Sequence, residues 1–346
     1  MKNIALWLVV LVALYGCTSK DSGGNDYSIR LEGRTMGTTF EVVYIDSQER
    51  VFDNAIDSLL VEVNNSMSTY IPNSTISTFN ASNDTAFFPV DEHFYIVYLR
   101  SKALYNLTHG AFNPAVMPLV RYWGFGPEEG PEKVEERVVD SLLALTDFRA
   151  FEGTKVMVDG ETRYLLKKSD PRLQLDFSAI AKGYGVDVLH DFLQAKGLQN
   201  IFVEIGGEIR VSGQAGPELP WVVGIEDPVN STIDNRKALA YVTLPKGGIA
   251  TSGNYRNVRE IDGVKYTHTI DPSTGYSVRS NTLSASIVAE DCMTADAMAT
   301  ACMVASLDSA VSYLAAANVE GLLMYSDAEG TIDTVQTKGF AHLIRE

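Results

Sequence analysis

Basic residues are scarce in this 346-residue chain: 28 Lys and Arg stand against 44 Asp and Glu, a formal net charge of −16. That balance excludes nucleic-acid affinity driven by counterion release, and it implies that any bound phosphate is met with the help of a metal ion. Cysteine is scarcer still, with three residues. If the segment between Cys292 and Cys302 is helical, the two lie about 15 Å apart at 1.5 Å per residue, too far for a disulfide. Buried free thiols follow, and neither a zinc site nor a cysteine nucleophile has support. No apolar run at the N-terminus reaches the roughly 20 residues of a spanning helix. Internal repeats and an interdomain linker are lacking too. Finally, the glycine-punctuated, lysine-bearing stretch LDFSAIAKGYGVD, Leu175 to Asp187, fits neither G-x-x-x-x-G-K-[ST] nor G-x-G-x-x-G.

What is present is an ordinary globular composition, 45% apolar and 21% charged, enough for one large core or two lobes. The N-terminus carries one early charge, Lys2, then an apolar run from Ile4 to Tyr15 that ends in Leu14-Tyr15-Gly16-Cys17. These are signal-peptide proportions, and small residues before a cysteine resemble a bacterial lipoprotein processing site; a simple uncleaved anchor is the alternative. Residues 1–16 are therefore expected as a signal peptide, with Cys17 lipidated, 17–26 as a Gly-rich flexible tether, and 27–346 as the folded domain, outside the cytoplasm.

Helical periodicity is clearest over Val51 to Asn65, Asp91 to His109 and Gly183 to Ala195. The segments TTFEVVYI, RYLLKK, LQLDF, IFVEIGGEIRV, WVVGIED, ALAYVTL, LSASIVAE and GLLMYSD carry strand chemistry. Strict βαβα alternation is absent, which argues for α+β. The charged, Pro/Gly-rich GPEEGPEKVEE, residues 126–136, reads as a surface loop.

Several stretches carry chemistry. In LDFSAIAKGYGVD an apparent strand, a glycine-containing turn bearing Lys182 and a helix are the usual way to present backbone N–H groups to a phosphate. In TADAMATACMVA, Asp296 and Thr300 are i and i+4 and share a helix face; hard oxygens of this kind suit Mg²⁺, while from this segment alone Thr294 as an N-cap and Asp296 at the positive end of a helix dipole are the commoner use of such residues. YTHTIDPSTGY sets His268 just before turn chemistry beginning at Asp271. ATSGNYR, residues 250–256, reads as a Ser-Gly turn whose N–H groups face an anion, or as an ordinary hairpin. MSTYIPNSTISTFN and GAFNPAVMPLVRYWGFG read as pocket walls, their aromatics stacking on a ring or filling the core.

In their order, TMGTTF, MSTYIPNSTIS, GAFNPAV with RYWGFG, LDFSAIAKGYGVD, VEIGGEIRVSG, ATSGNYR, HTIDPSTG and TADAMATA resemble the FAD:protein FMN transferases, the ApbE-like family, over residues 35 to about 305. The resemblance implies an α+β fold of mixed or antiparallel sheets with packed helices, two closely associated lobes and the FAD and Mg²⁺ site in the cleft between them. It implies Mg²⁺-dependent cleavage of FAD, with FMN placed on a Thr or Ser of a target protein and AMP released. Recipients of that kind are subunits of sodium-translocating NADH:quinone reductase or related electron-transfer complexes. By similarity, Asp296, Thr300 and the carbonyl of Ala179 hold Mg²⁺. Met36, Tyr70, Ala111, Phe112, Asn113, Asp176, Lys182 and Ile270 contact FAD, and His268 is catalytic. Asn113 stands where the family often has Asp, and Ser273 where it often has Arg or Lys. A Mg²⁺-dependent FAD pyrophosphatase and a non-catalytic flavin-binding lipoprotein are the competing readings; a peptide- or sugar-binding lipoprotein is remoter.

Overall fold

The computed structural model describes residues 26–231, 237–254, 258–261, 263–278, 280–327 and 329–345. The expected signal peptide, Cys17 and nearly all of the tether lie outside the described residues, as do Tyr255 and Arg256 of the ATSGNYR stretch. Among the described residues no helix is long and apolar enough to cross a membrane.

The strands are β1 (Tyr27–Thr35), β2 (Thr38–Asp46), β3 (Phe88–Val90), β4 (Phe151–Val158), β5 (Glu161–Lys168), β6 (Ile201–Ile205), β7 (Glu208–Ser212), β8 (Gln214–Gly216), β9 (Leu219–Glu226), β10 (Ala238–Leu244), β11 (Lys246–Gly253), β12 (Val258–Ile261), β13 (Val264–Thr267), β14 (Thr282–Ala289), β15 (Glu320–Ser326) and β16 (Ile332–Gln336). The helices are α1 (Asp53–Met67), α2 (Thr75–Ala81), α3 (Glu92–Leu107), α4 (Met117–Trp123), α5 (Glu136–Leu143), α6 (Ala181–Ala195), α7 (Cys292–Val304), α8 (Leu307–Ala317) and α9 (Lys338–Ala341). Eight strands form the main sheet in the order β1-β2-β6-β7-β11-β14-β15-β16, each pair antiparallel. The α+β expectation is borne out, in its antiparallel form.

Side-chain alternation sends the two faces of this sheet to different cores. Ile201, Val203 and Ile205 of β6 pack with Phe40, Val42 and Tyr44 of β2 against α1 and α6. Phe202, between them, points the other way, to Trp221 and the small sheet β10-β9-β8. Burial on both faces explains why four of the five residues of IFVEI are apolar. α7 is buried on nearly all sides, as a central helix of small and apolar residues must be. Cys292 and Cys302 lie within it as buried free thiols, as expected. The α3 and β3-β5-β4 region shares one continuous core with α7 and the main sheet. A smaller core joins α4 and α5 to the β12–β13 hairpin through Trp123, Ile261 and Ile270.

Three expectations need correction. LQLDF, residues 173–177, is extended but belongs to no ladder. Leu173, Leu175 and Phe177 alternate inward as in a strand, while side chains and a turn take the backbone groups a neighbouring strand would take. Asn80 pairs with Leu175 both ways, Nδ2 donating to its carbonyl and Oδ1 accepting from its N–H, each at 2.8 Å. ATSG lies in strand β11 rather than in a turn. The part after Gly197 is mainly strands, β6 to β16, but α8 follows α7 directly and was not expected; α2, α4 and α5 escaped notice because each has eight residues or fewer. The loop at 126–136 gives way to α5 at Glu136.

Lys168, 1% exposed, completes the clasp around the 173–177 segment. Its Nζ donates to the carbonyls of Phe79, Asn80 and Leu173 at 3.2, 3.2 and 3.1 Å. Burial pushes its ammonium down from 10.5 to about 8, with Asp170 pulling weakly upward. Between those values the unfolded chain holds more protons than the folded one, so this group's contribution to stability grows as pH rises from about 8 to about 10.5. Lys168→Met orphans three carbonyls and is expected to destabilise by about 2 kcal/mol at neutral pH. In urea unfolding, the wild-type advantage over that variant should widen at pH about 10; an advantage that shrinks would contradict the burial argument.

Candidate active site

LDFSAIAKGYGVD enters the site as an extended segment, a turn at 178–180, then α6. Gly183 and Gly185 belong to the helix rather than to the turn, and both serve close packing: a Cβ on Gly183 would meet the Cys292 carbonyl oxygen at 2.4 Å, and one on Gly185 would meet the Met36 methyl at 2.8 Å. The absent side chain at Gly183 lets α6 approach α7 closely enough for its N–H to donate to Asp296 Oδ2 at 3.0 Å. Gly183 lies in the first turn of α6, whose N–H groups have no intrahelical acceptor, and Asp296 supplies one; Ala179, to whose carbonyl the family resemblance assigns a metal, lies in the turn just before the helix.

Asp296 is 3% exposed. Its Oδ1 stands 3.9 Å from Lys182 Nζ, which makes a 2.6 Å contact with Glu208 Oε1. Burial would lower the Lys182 ammonium, but the charges of Asp296 and then Glu208 outweigh it and hold the pKa well above the ordinary lysine value. Burial raises Glu208, Lys182 pulls it back, and Asp296 raises it further. One turn along α7, the Thr300 hydroxyl lies 3.4 Å from Ser252 Oγ at the end of β11. Asp187, also on α6, accepts from the N–H groups of Cys292 and Met293 at 2.9 and 2.8 Å and pairs with Arg210 at 3.0 Å. It thereby fixes the start of α7. The N-cap of α7 is Asp291, which accepts from Thr294 N at 2.7 Å, so Thr294 is not the cap.

The donor set that the resemblance offers to a cation is one buried carboxylate, Asp296, a weakly engaged hydroxyl, Thr300, and the carbonyl of Ala179 in the turn before α6. Among the described residues no three His, Cys, Asp or Glu cluster to cage a metal. Hard oxygens that fill only part of a coordination shell fit Mg²⁺, which normally keeps waters and substrate phosphates.

His268 follows β13 directly. Its ring meets that of Phe125 edge-on, with centroids 6.5 Å apart, and the Phe125 carbonyl accepts from the Tyr70 hydroxyl at 3.4 Å. Partial desolvation and then the Asp176 carboxylate raise the Tyr70 phenol. Asp176 donates its N–H to the Pro114 carbonyl at 2.8 Å and accepts from Ser178 N and Oγ. On the other side Thr269, next to His268, donates to Asn254 Oδ1 at 2.9 Å, just beyond β11. His268, Tyr70 and Asp176 are linked through Phe125 and the Asp176 charge, and Asn254 stands two residues beyond Ser252, the partner of Thr300.

The remaining expected contacts divide by burial. Met36 sits in the β1–β2 turn at φ 48° and packs between two cores. Tyr70, 64% exposed, presents its ring to solvent, whereas Phe112 and Ile270 are buried in cores and have only backbone to offer a ligand. Trp123 is core as well, its indole N–H held by the Gly275 carbonyl at 2.8 Å. Ala111 and Asn113 line a cavity of about 640 Å³ together with Asp271 and Ser273. Asn113 uses both ends of its amide: Nδ2 donates to Thr146 O at 2.8 Å and Oδ1 accepts from Ala115 N at 2.9 Å. An aspartate could not make the first bond. Ser273 is spent on its own turn, donating N–H and Oγ to Asp271 Oδ1 at 2.8 and 2.7 Å.

Sequence reasoning missed Glu208 and Asp187 as members of this site. Both lie inside recognised stretches, VEIGGEIRVSG and LDFSAIAKGYGVD. For Glu208 a signal existed: Gly-Gly between two apolar runs marks a tight hairpin, and the residue after it faces the neighbouring layer.

Comparison with known proteins gives the family. The ApbE family model matches residues 36–323. The FAD:protein FMN transferase of Vibrio cholerae is 37% identical over 335 residues, covering 95% of this chain and 96% of that protein, and the one of Haemophilus influenzae is 36% identical over 293 residues, 82% of each. The solved flavin transferase ApbE from Vibrio cholerae superimposes with a TM-score of 0.81 at 35% identity, covering 92% of this chain and all of that one. On sequence and fold alike, the chain belongs to the ApbE family.

Proposed function

We propose that this protein is a Mg²⁺-dependent FAD:protein FMN transferase that attaches FMN through a phosphoester to a Thr or Ser of a target protein and releases AMP. The observation that carries the reading is the α6–α7 contact, in which Asp296 takes the Gly183 N–H beside Lys182 and above Thr300, in a chain homologous to FAD:protein FMN transferases. Asp296, Thr300 and the Ala179 carbonyl would hold Mg²⁺, which neutralises charge on pyrophosphate oxygens when bound. Lys182 directs its ammonium to the phosphates of FAD, and Tyr70, Asp176 and the 111–113 backbone orient the dinucleotide. His268 takes the proton of the acceptor hydroxyl, whose oxygen bonds to the FMN phosphorus as the bridging P–O bond breaks and AMP departs with the electron pair.

Recipients are flavin-carrying subunits of sodium-translocating NADH:quinone reductase or related electron-transfer complexes, and lipidated Cys17 would place the domain at a membrane outside the cytoplasm. Incubation with FAD, Mg²⁺ and such a recipient should give an FMN-sized mass gain matched by AMP. AMP with no mass gain on any acceptor would instead identify a pyrophosphatase. His268→Ala should slow transfer roughly 10²- to 10³-fold; a near wild-type rate between about pH 6 and 8 removes the histidine from that role.

A further inference from the structure

Glu208 is given its place by backbone. The β6–β7 hairpin turns at Gly206 and Gly207, φ 63° and 105°, a left-handed pair that favours glycine. The register sets Ile205 opposite Glu208, so Glu208 opens β7 and its carboxylate lies at 5% exposure beside α6. Oε1 touches Lys182 Nζ at 2.6 Å, while Oε2 is buried without a hydrogen-bond donor among the described residues. Lys182, on the first turn of α6, therefore stands between two buried carboxylates and engages them unequally. Asp296 Oδ2 is taken by Gly183, and Oδ1 lies 3.9 Å from the ammonium, beyond hydrogen-bond length.

We propose that Glu208 is a positioning residue that tethers the Lys182 ammonium off Asp296 and so keeps that carboxylate open to a divalent cation. The inference rests on Asp296 being a cation ligand. A lysine head on its flexible four-carbon stem needs to travel only about 1 Å to close on Oδ1. Without Glu208, Asp296 is the nearest buried anion to it, and a cation then has to displace an ammonium already in contact. The tether makes Lys182 a neighbour of the cation rather than its competitor.

The test is Mn²⁺ titration of the full-length protein, followed by the electron paramagnetic resonance signal of free Mn²⁺. Glu208→Gln should weaken binding roughly tenfold more when Lys182 is present than in a Lys182→Met background, about the effect of an ammonium closing from near-contact to contact at an effective dielectric constant of about 20. Glu208→Asp keeps the charge but shortens the reach, and should also weaken binding only when Lys182 is present; it carries the comparison alone if the Gln variant does not fold. Equal losses in both backgrounds, or an Asp variant that binds like the wild type, would make Glu208 a distant charge and overturn the tether. Mn²⁺ binding that Asp296→Ala leaves unchanged would overturn the cation ligand itself, and the tether with it.

Discussion

Asp296→Asn protein is expected to melt like the wild type and yet lose flavin transfer by about 10⁴-fold or more, the loss of several kcal/mol of transition-state stabilisation. The isosteric amide still has an oxygen to accept the Gly183 N–H, now bonded at 3.0 Å, so the α6–α7 contact survives. What it lacks is the negative charge, and among the described residues the neighbouring carboxylates are engaged elsewhere: Glu208 with Lys182, and Asp187 with the start of α7 and Arg210. Asp296→Ala should lose the same activity and, in addition, about 1–3 kcal/mol of stability, because the Gly183 N–H is then buried without an acceptor. Thermal unfolding of the two variants beside a flavin-transfer assay separates the roles. An Asn variant with appreciable transfer would mean that the charge of Asp296 is dispensable and that the proposed Mg²⁺ site lies elsewhere.

The parts of the fold legible in the sequence were those whose local pattern and final environment agree. Val51 to Asn65 became α1, with Ile56, Leu60 and Val63 buried, because an amphipathic helix on a sheet shows its period directly. Asp91 to His109 became α3, with the Asp91 carboxylate accepting the Phe94 N–H as an N-cap. LQLDF misled because its inward alternation is real while its ladder is replaced by Asn80, Lys168 and a turn, partners about 90 residues away or held by tertiary contacts. α8 sits so close behind α7, separated by Ala305 and the capping Ser306, that one run of small residues conceals two helices. For the site, motif order identified the family and singled out Asp296, Lys182, Tyr70 and His268 as candidates. It could not separate side chains from backbone as the source of a contact, so Phe112 and Ile270 stood beside Tyr70 until burial distinguished them. Glu208 went unseen because the Gly-Gly hairpin before it marks only its place in the fold, while its contact with Lys182 is a tertiary one.

The glycines of LDFSAIAKGYGVD carry the largest structural prediction. Were they turn glycines shaped for a phosphate, Ala at either position would disturb ligand binding and leave the fold nearly intact. Gly183 instead lies in α6, where Ala is intrinsically favoured by about 1 kcal/mol over Gly. Packing reverses the sign: the added methyl would stand 2.4 Å from the Cys292 oxygen and 2.8 Å from both the Cys292 carbonyl carbon and the Met293 Cα. All three are backbone atoms, pinned by the Asp187 carboxylate that binds both N–H groups, so no side-chain rotation relieves the contact. Gly183→Ala is expected to destabilise by about 3 kcal/mol or more through overpacking and to move the Gly183 N–H away from Asp296. Gly185→Ala meets only the flexible Met36 methyl and Ile205 Cδ1, at 2.8 and 3.2 Å, and should cost about 1 kcal/mol. Urea unfolding of the pair, with flavin transfer measured on whatever remains folded, would reveal the order. If Gly185→Ala proved the more damaging, α6 and α7 would have room to separate, and the close approach could not be what delivers Asp296 to the site.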